Sequence, residues 1–254
     1  MKFSNGCWLD KEGFRLQYPS EVYTHEVEKD KITLYGPFTK VKHRGNTLDG
    51  GMMTIEVTSP LENVFRVRAY HHLGQLSKGP KHELSIEALP IEMQEDESNF
   101  IIHNGDLSLA IKKDDQFVMA FFQNNEPLTD SGFKSLSYIE SDDQKTYMRE
   151  QLSLDVGELI YGLGERFSPF VKNGQTVDIW NEDGGTGSEQ AYKNIPFYLS
   201  NKGYGVLVNH PEHVSFEVAS EKNTKVQFIV EGEVLDYFLI AGPTPKKVLE
   251  RLTT

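Results

Sequence analysis

The feature that most restricts this chain is the spacing of its apolar residues. Short runs rich in β-branched and aromatic side chains recur along its length, separated by turn residues. Ile32 to Tyr35, Met53 to Thr58, Val64 to Tyr70, Leu107 to Ile111, Phe117 to Phe122 and Tyr147 to Leu154 are such runs, followed by Leu159 to Gly162, Pro196 to Ser200, Tyr204 to Asn209, Val214 to Val218, Lys225 to Glu231 and Leu235 to Ala241. Each reads as a strand. Leu107, Leu109 and Ile111 alternate with Ser108, Ala110 and Lys112, the period of two expected when one sheet face is buried and the other is wet. Asn201-Lys202-Gly203 and Glu231-Gly232-Glu233 separate strand runs at hairpin lengths, with Gly203 and Gly232 placed to take positive φ. The expectation is an all-β protein built from antiparallel meanders. No repeat of roughly 20–50 residues points to a propeller or solenoid.

One helix start stands out near the end. Thr244 can cap, Pro245 suits the first turn, and Val248, Leu249 and Leu252 share a face. We therefore expect a β domain over residues 1–243 and a short C-terminal helix over 244–254 that begins the connection to a further domain. The most polar stretch, Glu92 to Asn99 with Glu95, Asp96 and Glu97, is expected to be a solvated loop rather than a domain boundary.

With 26 Lys and Arg against 38 Asp and Glu, the formal net charge is −12, which opposes binding to nucleic acid or to anionic membranes. Cys7 is the only cysteine, so no internal disulfide can form. Met1-Lys2-Phe3-Ser4-Asn5-Gly6 lacks the basic start and apolar run of a signal peptide, and no stretch approaches the roughly 18 apolar residues of a membrane span. A cytoplasmic location is expected on these grounds.

From Leu159 the chain changes character. Leu159-Ile160-Tyr161-Gly162-Leu163-Gly164-Glu165-Arg166-Phe167 is followed by Asn173-Gly174-Gln175-Thr176-Val177-Asp178-Ile179-Trp180-Asn181-Glu182-Asp183-Gly184-Gly185-Thr186. Glycines clustered with polar and aromatic residues indicate a long loop between strands. Taken alone, these residues leave two readings open. Trp180 can fill a gap in the core with its neighbouring carboxylates merely solvated, or the indole and the carboxylates can together hold a sugar, by stacking and by accepting hydroxyl hydrogen bonds. Other chemistry finds little support. His71-His72 and His210 to His213 lack further ligands at metal-binding spacing, and there is no phosphate loop, nucleophile elbow or supported Cys/His pair. No metal and no cofactor are expected.

The Gly162 to Phe167 motif, Trp180-Asn181-Glu182-Asp183, Tyr192-Lys193-Asn194-Ile195-Pro196-Phe197-Tyr198, and Gly203-Tyr204-Gly205-Val206-Leu207-Val208-Asn209-His210-Pro211 together resemble the amino-terminal domain of family 31 glycoside hydrolases. The likeness runs from Gly6-Cys7-Trp8-Leu9 to Gly242-Pro243-Thr244-Pro245 and is nearest to the bacterial α-xylosidase branch. The resemblance implies a galactose-mutarotase-like supersandwich of two large antiparallel sheets. It also implies retaining hydrolysis of α-glycosidic bonds, which needs two carboxylates about 5–5.5 Å apart. In the family those carboxylates belong to a (β/α)8 barrel that follows the sandwich, and no stretch here resembles the barrel's nucleophile motif. This chain alone is therefore expected to be inactive, with its own C-terminal catalytic barrel and an α-xyloside or related oligosaccharide as partners.

By position in the motif, Asp183 resembles the family residue that helps build the subsite for the non-reducing sugar, so it is the first substrate-binding candidate. Trp180, Asn181 and Glu182 accompany it, chiefly holding the loop. Glu165 and Arg166 are expected to pair at the loop's root, Asn194 and Tyr198 to support it together with Pro196, and His210-Pro211 to fix a turn. Two alternatives remain. One is a free-standing carbohydrate-binding module that uses Trp180 as a platform. The other is a mutarotase-like sugar epimerase, which would need His103, His210 or another histidine opposite a carboxylate in an open pocket. On the family reading, the chain alone would expose the surface that packs on the barrel, and it is expected to be able to form a homo-oligomer.

Overall fold

Leu107, Leu109 and Ile111 are fully buried while Ser108, Ala110 and Lys112 are partly exposed, so the alternation in the sequence becomes one strand with an inner and an outer face. In the computed structural model, which describes residues 1–5, 9–48, 50–74, 88–113, 116–182 and 187–254, this pattern is repeated many times. The first strands are β1 (Ser4–Asn5), β2 (Leu9–Asp10), β3 (Phe14–Gln17), β4 (Thr24–Val27), β5 (Lys31–Pro37), β6 (Met52–Leu61) and β7 (Val64–Tyr70). They are followed by β8 (Glu92–Glu95), β9 (Asn99–Asn104), β10 (Leu107–Lys112), β11 (Val118–Gln123), β12 (Glu126–Ser131), β13 (Ser137–Ser141) and β14 (Thr146–Ser153). The last are β15 (Ile160–Gly162), β16 (Gln175–Ile179), β17 (Phe197–Ser200), β18 (Tyr204–Val208), β19 (Val214–Val218), β20 (Lys225–Glu231) and β21 (Val234–Ala241), before the helix α1 (Pro245–Leu252).

Apart from β1 and β2, which pair only with each other, the strands form two large antiparallel sheets. One runs β16-β19-β20-β14-β12-β11-β10-β9-β8, with β13 and β3 branching from β14, and the other runs β15-β17-β18-β21-β7-β6-β5-β4. Met53, Ile55, Val57, Phe65 and Val67 from the second sheet meet Ile102, Leu109, Phe121, Phe216 and Phe228 from the first in one core cluster, the arrangement of a face-to-face sandwich.

Alternation fails in the middle strands, where every residue of β19 and nearly all of β21 is buried. Their outer faces are covered. Phe3 packs with Ile139, Tyr147 and Ile229 on the outside of the first sheet, and Val248 of α1 packs with Val64, Phe197, Phe238 and Ile240 on the outside of the second. The Thr244 side chain caps α1 by accepting from Lys247 N at 3.2 Å, with Pro245 in the first turn. Burying Val248 contributes about 1.5–3 kcal/mol, so tertiary packing rather than propensity holds this two-turn helix.

Three local expectations need correction. Residues 92–95 are not loop but the edge strand β8, paired with β9, and only the turn at 96–98 is irregular. An edge strand solvated on both faces tolerates glutamates that an inner strand would not. The second is the Glu231-Gly232-Glu233 turn. Gly232 has φ of +109° as expected, yet the turn is not a hairpin, because β20 pairs with β14 and β19 whereas β21 pairs with β18 and β7. It carries the chain from one sheet to the other. Finally, the long loop after Leu159 is interrupted by β16, which pairs with β19 at the sheet edge.

Between the sheets lie two buried carboxyl groups. Glu150 Oε1 accepts from Ser131 Oγ and Gln151 N, both at 2.8 Å, and Tyr237 of the opposite sheet donates to its Oε2 at 3.3 Å. Burial pushes the Glu150 carboxyl up to about 7. Glu158 Oε1 accepts from Ser200 Oγ at 2.5 Å and Tyr204 OH at 2.7 Å. No helix among the described residues is long and apolar enough to cross a membrane.

Candidate functional site

The motif residues gather where β15, β16 and β17 end on one side of the sandwich. Leu163 N donates to Phe197 O at 2.8 Å and Glu165 N to Lys193 O at 2.9 Å, which presses the chain after β15 against the chain before β17. Gly162, Leu163 and Gly164 all take positive φ to follow this path. A Cβ on Gly164 would run into the Lys193 carbonyl oxygen, so the close approach requires glycine there.

Arg166 is the hub of the loop's root. Its Nε donates to Leu163 O at 2.9 Å, one terminal nitrogen to Glu189 O at 2.9 Å, and the other to Asp178 O at 2.5 Å and to Asn194 Oδ1. The Asp178 and Glu189 carbonyls lie on either side of the Trp180 loop, so one guanidinium ties both stems. Each such charge-assisted bond is worth about 1.5–3 kcal/mol. Burial lowers the Arg166 pKa, opposed by the charges of Asp178 and Glu189. Lys172 closes the preceding loop from beneath: it is buried, its ammonium donates to Ser168 Oγ at 2.9 Å and Pro169 O at 2.8 Å, and burial together with the Arg166 charge depresses its pKa.

Asn194 completes the frame. Its Nδ2 donates to Trp180 O, Ala191 O and Asn181 Oδ1 at 2.7, 2.7 and 3.0 Å, while its backbone N donates to Asn181 Oδ1 at 3.1 Å. Asn181 also forms a single bridge with Ala191, and Glu182 N donates to Ala191 O at 3.0 Å. Glu182 Oε2 is taken by Gln190 Nε2 at 2.6 Å. Phe167, Phe170 and Tyr192 are 66%, 77% and 64% exposed, and Trp180 is left 54% exposed. A cavity of about 300 Å³ opens beside it, lined by Ile179, Trp180, Asn181, Asn194, Pro196, His210, Pro211 and Glu212.

Trp180 therefore does not fill a core gap. Glu165 does not pair with Arg166: it reaches Lys193 at 3.2 Å in an exposed ion pair, while the Arg166 guanidinium is taken by the carbonyl oxygens of Leu163, Asp178 and Glu189 and by the Asn194 amide oxygen. Tyr198 lies wholly inside the core under the loop, its ring edge-on to Tyr204 and Phe216, and its pKa is raised well above the usual value by burial. Asp183 lies outside the described residues.

Sequence reasoning passed over Lys172 and Glu212, since neither belongs to a recognisable motif. His71 is a partner within the fold. It stacks on Tyr138 at 4.1 Å, and its Nδ1 is 2.9 Å from Glu233. Among the described residues no group of three or more His, Cys, Asp or Glu is arranged around a metal position.

A model of the glycosyl hydrolase 31 N-terminal galactose mutarotase-like domain matches residues 53–217, and the chain belongs to that family. Along its whole length it is 45% identical to Alpha-xylosidase XylQ of Lactiplantibacillus pentosus and 42% identical to an alpha-xylosidase of Emericella nidulans, covering 33% and 35% of those proteins. It thus spans about a third of the length of these curated relatives. Among solved structures, the cycloalternan-forming enzyme of Listeria monocytogenes in complex with a pentasaccharide substrate has a TM-score of 0.77 at 19% identity, over 94% of this chain and 22% of that one, which shows a shared fold.

Proposed function

We propose that this chain is the non-catalytic N-terminal domain of a retaining α-glycosidase, an α-xylosidase that releases α-linked xylose from the non-reducing end of oligosaccharides. Residues 1–243 form the sandwich, and 244–254 begin the connection to a C-terminal (β/α)8 barrel that supplies both catalytic carboxylates. The observation that carries this reading is the clamped Trp180 loop. Arg166 and Asn194 fix its two stems to one another, and its exposed indole stands beside a cavity in a chain similar over its full length to two alpha-xylosidases. A loop held this firmly on a rigid sandwich can present polar groups to a neighbouring active site with little ordering cost.

Its place in the motif makes Asp183 the group that meets the non-reducing sugar. The exposed Phe167, Phe170 and Tyr192 supply part of the face that packs on the barrel, an interdomain contact of roughly 600–1,500 Å². The same face supports self-association of the chain on its own. The enzyme of this reading is cytoplasmic and needs no cofactor.

The experiment is Asp183→Ala in the polypeptide continued to the stop codon of its reading frame. Losing a charged hydrogen bond to a sugar hydroxyl should lower kcat/KM roughly 10- to 100-fold with the unfolding midpoint unchanged; an unchanged kcat/KM would remove Asp183 from the site. The epimerase reading needs an imidazole nitrogen open to the pocket. His210 and Glu212 line one cavity, but His210 Nε2 is buried, which favours binding over proton transfer.

A further inference from the structure

The cavity beside Trp180 contains a carboxylate that no described residue engages. Glu212 is half-buried, lines the cavity, and has no hydrogen bond or ion pair to any described residue. Its acidic neighbours are engaged: Glu182 with Gln190 at 2.6 Å, Asp178 with His213 at 3.6 Å and Glu165 with Lys193 at 3.2 Å. Removing a carboxylate partly from water without giving it a partner is unfavourable, and such a group serves best as an acceptor for something that enters the cavity.

The other walls say what that something is. Trp180 offers a largely exposed indole, Pro196 and Pro211 offer apolar surface, and Asn181 and Asn194 offer amides already fixed by their mutual hydrogen bonds. A flat aromatic face, an apolar floor and a spare carboxylate suit a ring with C–H faces and hydroxyl edges. A metal ion would need several oxygen ligands, and no cluster of three acidic or imidazole groups is present among the described residues. At about 300 Å³ the cavity is at the small end of ligand pockets, which fits one sugar ring rather than a chain.

We propose that this cavity is a pyranose-binding subsite in which the ring stacks on Trp180 and Glu212 accepts hydrogen bonds from its hydroxyls. The proposal deepens the reading of this end of the sandwich as sugar-handling, and it assigns to Glu212 and to this chain alone a binding capacity that the Asp183 hypothesis does not require.

The test is a titration of the 254-residue chain, labelled with nitrogen-15, with methyl α-D-xylopyranoside followed by NMR. The expected result is a saturable shift of the Trp180 indole N–H and of the Asn181 and Asn194 side-chain amides, with Kd of about 1–10 mM. Glu212→Gln should weaken binding about tenfold or more and Trp180→Ala should abolish it, in spectra otherwise unchanged away from the cavity. Glu126→Gln, in the distant strand β12, should leave Kd as it was. No saturable shift, shifts confined to another part of the chain, or an unchanged Kd in Glu212→Gln would each overturn the subsite. The outcome separates from the glycosidase reading. If the longer polypeptide hydrolyses α-xylosides while the chain shows no binding, the subsite alone fails, and binding without any hydrolysis by the longer polypeptide would leave the subsite standing and sink the glycosidase.

Discussion

Arg166 and Glu150 are both ionisable groups withdrawn from water, and the fold treats them in opposite ways. The Arg166 guanidinium at the loop root is surrounded by three carbonyl oxygens and an amide oxygen. Those acceptors do not titrate, and a guanidinium stays charged near neutrality even when burial lowers its pKa, so the clamp that Arg166 places on the two stems is indifferent to pH near neutrality. Glu150 lies between the sheets with hydroxyl and amide partners, and burial alone moves its carboxyl into the neutral range. The loop's root is thus fixed by permanent charge on neutral acceptors, while the interior of the sandwich contains a proton-dependent element. Site geometry and core stability should respond differently to the same perturbation.

The largest expected effect comes from the loop. Gly164→Ala adds a side chain at positive φ and against the Lys193 carbonyl, and should cost about 3 kcal/mol or more of unfolding free energy, measured as a drop in the urea midpoint. A midpoint within error of the parent would mean that the close approach of the two stems is dispensable.

Glu150→Gln sharpens the other side. Because the folded carboxyl is raised from 4.5 to about 7, the folded state holds its proton more tightly than the unfolded state does. That contribution is fully present below pH 4.5 and is lost as pH rises through 7, a swing of about 3 kcal/mol. Substitution should therefore stabilise the protein relative to the parent at pH 8 and much less at pH 5, as seen in paired denaturation curves; an equal difference at both pH values would take Glu150 out of the account.

The smallest effect is expected at Glu165, whose ion pair with Lys193 is exposed on both sides. Glu165→Ala should change stability by no more than about 0.5 kcal/mol. A larger loss would show that the loop root depends on charge pairing after all.

What could be read from the chain in advance follows the same division. The alternation of Leu107, Leu109 and Ile111 announces a half-buried strand because burial acts on every second residue. The turn at Glu231 to Glu233 has the length and glycine of a hairpin, but nothing in three residues encodes which sheet the next strand will join. Gln175 to Ile179 escaped notice because an edge strand in a polar neighbourhood carries little periodicity. The role of Arg166 was visible only as a charged residue in a motif, since its partners are backbone carbonyls, which every residue has. Glu212 gave no signal at all, because its place beside Trp180 is created by the pairing of β16 with β19, which ends at Ile179 opposite Val214.

The most direct test of the central claim, that the catalytic centre is not in this chain, is hydrolysis of p-nitrophenyl α-xyloside and α-glucoside by the 254-residue chain and by the polypeptide continued to its stop codon. The account predicts no turnover by the chain and retaining hydrolysis by the longer polypeptide, faster on the xyloside. Turnover by the chain itself would contradict it.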